Sequence, residues 1–304
     1  MGLFDFFSGK KKQPLKNEPQ QVAVDVVPDK KHLLEEVEVM PGLKIPRAFA
    51  LRWPEIAQSK LPAISITATS HDELALEQSK FGYYPCMPLD FEYPRDASGQ
   101  FMYPLAQVNF RETPPLQGYP RSGYLQFYIS ATSDLYGADF DNPLLQKDFR
   151  VLFFEENEVE KYKADFSFLD ETMASETLPL NKPYALAFSP KDDYAGMGDV
   201  RHDDNETFNL HMIIEQHPEI DDELGNAAFD SFSAQGHKIG GYANFTQTDP
   251  RSYKPDYMHY ILLLQIDTDD DIMWGDSGVG NFFIHPDDLA KMDFSKVMYT
   301  WDCC

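Results

Sequence analysis

Asp267, Asp269 and Asp271 stand at alternate positions, and Gly275-Asp276-Ser277-Gly278 follows directly. Alternating carboxylates open a calcium loop, and Gly-Asp-Ser-Gly can frame a nucleophilic serine. Neither pattern completes. An EF-hand needs Gly at its sixth place and Glu at its twelfth, where this chain has Ile272 and Gly278. No upstream histidine carries a motif that would pair it with Ser277. A cation site built from Asp267, Asp270 and Asp276 remains open, against a solvated loop between strands. His211 and His217 with Glu215 between them do not spell His-Glu-x-x-His. There is no P-loop and no dinucleotide fingerprint, so no cofactor is implied.

The amides carry more information. In Leu105–Asn109 the two-residue period of a strand puts Gln107 and Asn109 on one face, opposite Ala106 and Val108. Gln265 and Asp267 hold the same slots in a second, similar run, and Gln126 and Asn281 correspond in the strand after each. Trp274 beside Gly275, with Tyr119, Tyr242 and Phe245 on turns, supplies candidate rim aromatics. A ligand cleft between two halves would then draw on Gln107, Asn109, Gln126, Gln265, Asp267, Trp274, Asp276 and Asn281. The alternative is structural: buried amides demand partners, and these could fix strand register by bonding to backbone.

Four blocks recur in one order and must position these residues. Lys60–Ile66 answers Lys182–Phe188, and Lys80-Phe81-Gly82 answers Lys238-Ile239-Gly240. Leu105–Asn109 answers Leu263–Asp267, and Ser122–Ile129 answers Ser277–Ile284. The expected fold class is α+β and β-dominant, two tandem related β-rich units from an internal duplication forming one two-lobed globule. The boundaries read as a mobile tail at 1–30, a helical segment at 31–59, repeat one at 60–155, a linker at 156–181, and repeat two at 182–302 with an insertion at about 201–236. Lys31–Val39 and Arg52–Gln58 read as helices, as does a stretch from about His217 to Phe232 with acids in its first turn.

Composition sets the function classes. The 304-residue chain has formal net charge −24, and residues 1–31 hold six lysines against four acids, so the remainder is more negative still. Such a body repels phosphate backbones, which argues against nucleic acid and for a basic protein partner or plain solubility. Cys86, Cys303 and Cys304 form no framework, so reduced thiols and a cytoplasmic setting are expected. Met1–Phe7 is too short for a secretory signal, and no apolar run would span a bilayer. The apolar start followed by Lys10-Lys11-Lys12 could touch an anionic membrane without stable insertion. Oligomeric state is left open.

Taken in order, Lys80–Pro85, Pro104–Phe110, Gly118-Tyr119-Pro120, Gly123–Phe127, His237–Tyr242, Asp249-Pro250-Arg251 and Leu263–Asp267 followed by Trp274–Gly278 resemble the bacterial YwqG-like family, a family of unknown function. The resemblance covers about 60–302. It implies a duplicated β-rich architecture in a bacterial cytoplasm, with no catalytic residues to carry over, and a toxin-immunity or partner-binding role. The expected function is therefore a non-enzymatic binding module engaging a basic protein partner through an acidic surface or inter-repeat cleft. The alternatives are a carboxylate- or metal-dependent enzyme, or a small-molecule sensor, with its site at the repeat interface.

Overall fold

A computed structural model describes residues 30–203 and 209–304. The expected apolar-lysine tail, with its membrane contact, lies outside the described residues apart from Lys30, as do Asp204 and Glu206 of the insertion.

The strands are β1 (Glu36–Met40), β2 (Leu43–Pro46), β3 (Leu61–Ser70), β4 (Lys80–Phe81), β5 (Tyr103–Asn109), β6 (Tyr124–Ile129), β7 (Phe149–Phe154), β8 (Tyr184–Asp193), β9 (Lys238–Gly240), β10 (Ile261–Asp267), β11 (Val279–Ile284) and β12 (Met298–Asp302). Among the described residues β1 and β2 form a hairpin. The other ten make one sheet in the order β12-β11-β10-β9-β3-β8-β4-β5-β6-β7, antiparallel throughout. The protein is thus β-dominant with few helices. No helix among the described residues is long and apolar enough to cross a membrane.

At the centre of the sheet β3 and β8 pair over ten residues, from Leu61 opposite Asp193 to Ser70 opposite Tyr184. On their outer sides β3 takes β9, with Ile64 opposite Ile239, and β8 takes β4, with Phe81 opposite Tyr184. The opening strand of segment 60–155 therefore lies beside a strand of segment 182–302, and the reverse. The two segments share one sheet and one core.

The sheet curls until its ends face each other. Phe127 of β6 meets Phe282 of β11 at 4.7 Å between ring centroids, and Phe149 of β7 meets Tyr299 of β12 at 5.1 Å. Their inner faces join one large apolar core. β7 and β12 do not pair, so a seam stays between them, bridged by the chain from 130 to 148: the Tyr299 N–H donates to Pro143 O at 2.9 Å, and Trp301 Nε1 to Leu135 O at 2.9 Å. Burial of this much aromatic surface, about 1.5–3 kcal/mol for each large side chain, is the main force holding the curl.

The sheet's outer face is also covered, which is why every residue of β5, β6 and β11 is buried. Cys86, Met87, Tyr93 and Phe166 cover β5 and β6, and Ala243, Tyr257 and Tyr260 cover β10 and β11. A further apolar cluster joins the N-terminal segment to the insertion, with Phe49 against Phe232 at 5.7 Å.

Two expected elements differ in detail. Lys31–Val39 divides into a helix at Lys30–Leu34 and the strand β1, because Val37 and Val39 alternate with Glu36 and Glu38 at the period of a strand. Pro218 precedes the insertion helix instead of starting it; the helix is Asp221–Ser231, with Asp221, Asp222 and Glu223 in its first turn. Ser277 takes φ +58°, and Gly278 is needed because a Cβ there would run into the Asp302 carbonyl.

Candidate functional site

Each amide named from sequence is buried and held by backbone. Gln107 accepts from Cys86 N at 2.7 Å and donates to Leu76 O and Gln78 O, both at 2.8 Å. Gln265 accepts from Asn244 N at 2.7 Å and donates to Ala234 O at 2.8 Å and Gly236 O at 2.7 Å. Gln126 donates to Cys86 O at 2.6 Å, and Asn281 to Asn244 O at 2.8 Å. Asn109 donates to Glu77 O. Gln107 and Gln126 thus sit together under one covering loop, and Gln265 and Asn281 under another.

The carboxylates disperse. Asp267 is buried and accepts from Gly236 N at 2.7 Å and Thr268 N at 2.9 Å; burial raises its pKa in spite of these bonds. Asp270 and Asp276 are exposed. Among the described residues no three His, Cys, Asp or Glu side chains gather in a way that could hold a metal ion. Trp274 is fully buried between Tyr136 and Trp301, and Gly280 lacks a side chain where the Trp274 ring lies.

One departure between the two segments lies beside a cavity. In the first half the Tyr128 hydroxyl donates to Gln126 Oε1 at 2.5 Å. The register that sets Gln126 opposite Gln107 and Asn281 opposite Gln265 places Phe283 where Tyr128 stands, so that hydroxyl is missing. Asn281 Oδ1 is buried without a hydrogen-bond partner among the described residues. The same register places Asp302 of β12 where β7 has Phe154.

Asn281 and Asp302 line a cavity of about 230 Å³ at the seam, walled by Phe140, Phe245, Tyr253 and Trp301. Asp302 Oδ2 accepts from Gln247 N at 2.9 Å and Thr246 N at 3.1 Å. Its Oδ1 is buried without a partner, and the Thr246 hydroxyl lies beside the carboxyl without a hydrogen bond of normal geometry. Burial raises the Asp302 pKa; its N–H partners and the Thr246 hydroxyl oppose the shift, and the charge of Asp249 adds to it.

A buried ionic knot sets the wall bearing Tyr253. Asp249 caps the turn Pro250–Tyr253 by accepting from Arg251 N at 3.0 Å, and its Oδ2 accepts from Val200 N at 3.0 Å. Arg251, fully buried, donates to Asp249 Oδ2 at 2.6 Å, Asp199 Oδ2 at 2.7 Å and Tyr260 O at 3.0 Å. Burial alone would raise Asp199, but the Arg201 hydrogen bonds and the charges of Arg251 and Arg201 outweigh it and hold its pKa well below the usual carboxylate range. Lys254, next in the chain, donates to the Tyr257 hydroxyl at 3.2 Å.

Of the cleft residues named from sequence, Asn281 lines this cavity, as does the rim aromatic Phe245. Phe140, Tyr253, Trp301 and Asp302 were missed, because three separate segments bring them together. The readable signal was Asp302, an acid in the last strand of one half where the other has phenylalanine.

These features define an antiparallel β protein with a closed core and one aromatic, acceptor-bearing cavity at its seam. Residues 79–303 match the family described as Domain of unknown function (DUF1963), and the chain belongs to that family. No curated protein matches it.

Proposed function

We propose that this chain is a non-enzymatic binding protein that engages a basic protein partner at the seam between β7 and β12. One observation carries the reading. A cavity with aromatic walls is lined by Asn281 and by the carboxylate-bearing Asp302, in a chain of net charge −24. The mouth is apolar as well, with Phe140 54% and Tyr253 68% exposed, a composition suited to a protein surface.

We infer further that the sheet arose by duplication of one β-module. The equivalent bonds of Gln107 and Gln265, and of Gln126 and Asn281, support this. On that reading one copy kept an internally satisfied amide and the other became the receptor. The YwqG-like label belongs with this proposal, and a basic toxin is a partner of the right charge. Opposite charge would raise the association rate and disfavour acidic competitors.

The test is capture from a bacterial lysate on the immobilised full chain at low ionic strength. A basic protein released by rising salt is the expected result. Recovery of no basic protein at low salt would count decisively against the reading.

A further inference from the structure

We propose that a second cavity, on the outer face of the sheet between the chain from 91 to 95 and β7, binds a small organic molecule through a single carboxylate. Arg95 and Arg150 hold that carboxylate, and the apolar body of the ligand lies on Phe91 and Leu152. The site is separate from the seam cavity and does not rest on the binding reading above.

Two guanidinium groups line one cavity of about 300 Å³ without a counter-ion. Glu92, Phe91, Tyr93 and Leu152 line it with them. Among the described residues neither Arg95 nor Arg150 forms an ion pair, although acids outnumber bases 50 to 26 in the chain. The acids nearest in sequence are committed to the framework. Asp96 accepts from Ser98 N at 2.9 Å, Gln100 N at 3.0 Å and the Ser130 hydroxyl at 2.8 Å, and Asp148 accepts from Ala97 N at 2.9 Å. Two like charges beside one cavity repel each other, and an anion between them turns that repulsion into attraction.

The strand period and one hairpin place both groups. Along β7, Phe149 and Val151 enter the inner core, which sends Arg150 and Leu152 to the outer face. Arg150 Nε is buried without a partner, whereas its two Nη atoms reach solvent without a bond inside the protein, and they are the edge open to a ligand. The Arg95 guanidinium lies 3.7 Å from the Phe101 ring centre and donates from Nη1 to Gly99 O at 2.6 Å, which orients the group and leaves Nη2 uncommitted. The hairpin that bears Arg95 is tied to the strand that bears Arg150, because Ala97, two residues after the first, donates to Asp148, two residues before the second.

Charge and walls select the ligand. Glu92 is exposed and forms no ion pair among the described residues, so with the two arginines it leaves one net positive charge at the cavity. One carboxylate balances that charge, whereas a phosphate dianion exceeds it and is repelled by Glu92. A carboxylate also matches the planar fork of guanidinium with two parallel hydrogen bonds. The Tyr93 hydroxyl is engaged with Met102 O at 3.1 Å, and Phe91 stands edge-on to Phe154 at 4.9 Å, so the remaining wall is apolar and favours an apolar body on the ligand. Size agrees, since about 300 Å³ lies at the lower end of the roughly 300–1,000 Å³ of small-ligand pockets.

The experiment is calorimetric titration of the full chain at low salt with phenylacetate, phenylacetamide, acetate and phenyl phosphate. The amide keeps the shape of phenylacetate and removes its charge, and acetate keeps the charge and removes the apolar body. Phenylacetate should bind at least tenfold more tightly than phenylacetamide or acetate, and severalfold more tightly than phenyl phosphate. Arg95→Gln, at an exposed position where folding is not at stake, and Arg150→Gln should each lose at least tenfold in phenylacetate affinity. Glu92→Gln should bring phenyl phosphate level with phenylacetate. Equal binding of phenylacetate and its amide, or unchanged affinity in Arg95→Gln and Arg150→Gln of wild-type melting temperature, overturns the inference. Acetate held as tightly as phenylacetate shows an adventitious ion only and overturns it too, as does the absence of any phenylacetate binding. None of these outcomes bears on capture of a basic protein at the seam.

Discussion

Phe127 and Phe282 meet at 4.7 Å between ring centroids, and they hold corresponding places, each one residue after the amide that pairs with a glutamine of the neighbouring strand. Phe282 also stacks on Tyr299 at 4.5 Å and lies 6.4 Å from Phe149. Both ends of the curled sheet therefore share one contact centre in the largest core. Phe282→Ala should cost about 3–5 kcal/mol through lost burial and the cavity left behind. Urea unfolding followed by tryptophan fluorescence and far-UV circular dichroism should show a single transition shifted to lower denaturant by both probes. Two separated transitions would show that the halves unfold independently.

Gln107 and Gln265 offer a matched pair of substitutions. Gln107→Leu removes the partner of Cys86 N and Gln78 O and leaves Leu76 O to Lys80 alone, and Gln265→Leu removes the partner of Asn244 N, Ala234 O and Gly236 O. At about 1–3 kcal/mol for a buried orphan and less for a carbonyl that water reaches, either change should destabilise by at least about 1 kcal/mol. The two losses should agree to within about 1 kcal/mol, since the bonds are equivalent. Thermal or urea denaturation of the two variants measures this, and a neutral outcome at either site would refute the account of the amides as the pins of register.

These pins are also why the sheet was legible in the sequence. A backbone bend that needs three hydrogen bonds from one side chain admits few residue types, so glutamine recurs with its lysine, glycine and strand neighbours, and the blocks can be read. The strand β1 was not legible as such, because Leu33, Leu34 and Val37 satisfy a helical period while Val37 and Val39 satisfy that of a strand, and pairing with β2 decides between them. The cavity was legible only at Asn281 and Phe245. Tyr253 and Trp301 reach it through a buried arginine knot and an unpaired sheet edge, and such long-range placement leaves no local pattern.

Lys80 and Lys238 occupy corresponding positions, yet Lys238 donates to Asp193 at 2.7 Å while Lys80 donates only to the carbonyls of Ala75, Leu76 and Tyr84. Gly241 leaves room for the Asp193 carboxylate, and the first half has Tyr83 at that place. Burial lowers Lys80 from 10.5 to about 7, although Cys86, Glu77 and Glu112 act to raise it. Above pH 7 the unfolded chain keeps a proton that the folded chain has shed, so stability rises with pH, by at most about 1.4 kcal/mol per unit from this group. Burial also lowers Lys238, to about 8, and adds a slope of the same sign, while burial raises Cys86 from 9.0 to about 11 and acts in the opposite sense at higher pH, so Lys80 weighs most from roughly pH 7 to 8. Denaturation across that window should show a positive slope in wild type that Lys80→Met flattens, and equal slopes would exclude Lys80 as its source.

Arg251 joins stability to the proposed site. Its guanidinium compensates Asp199 and Asp249 in a setting where all three are buried, and it anchors the turn that carries Tyr253 to the cavity. Arg251→Met keeps the volume, strands the Asp249 carboxylate and leaves Asp199 to Arg201 alone, which should cost about 3–5 kcal/mol at neutral pH. The sign with acid is fixed by Asp199. Its folded pKa lies below 3.8, so its contribution is present above that value and is lost as pH falls below it. Wild type should therefore lose stability below about pH 4, whereas Arg251→Met, in which Arg201 alone is left to hold Asp199 ionised, should lose less over the same range.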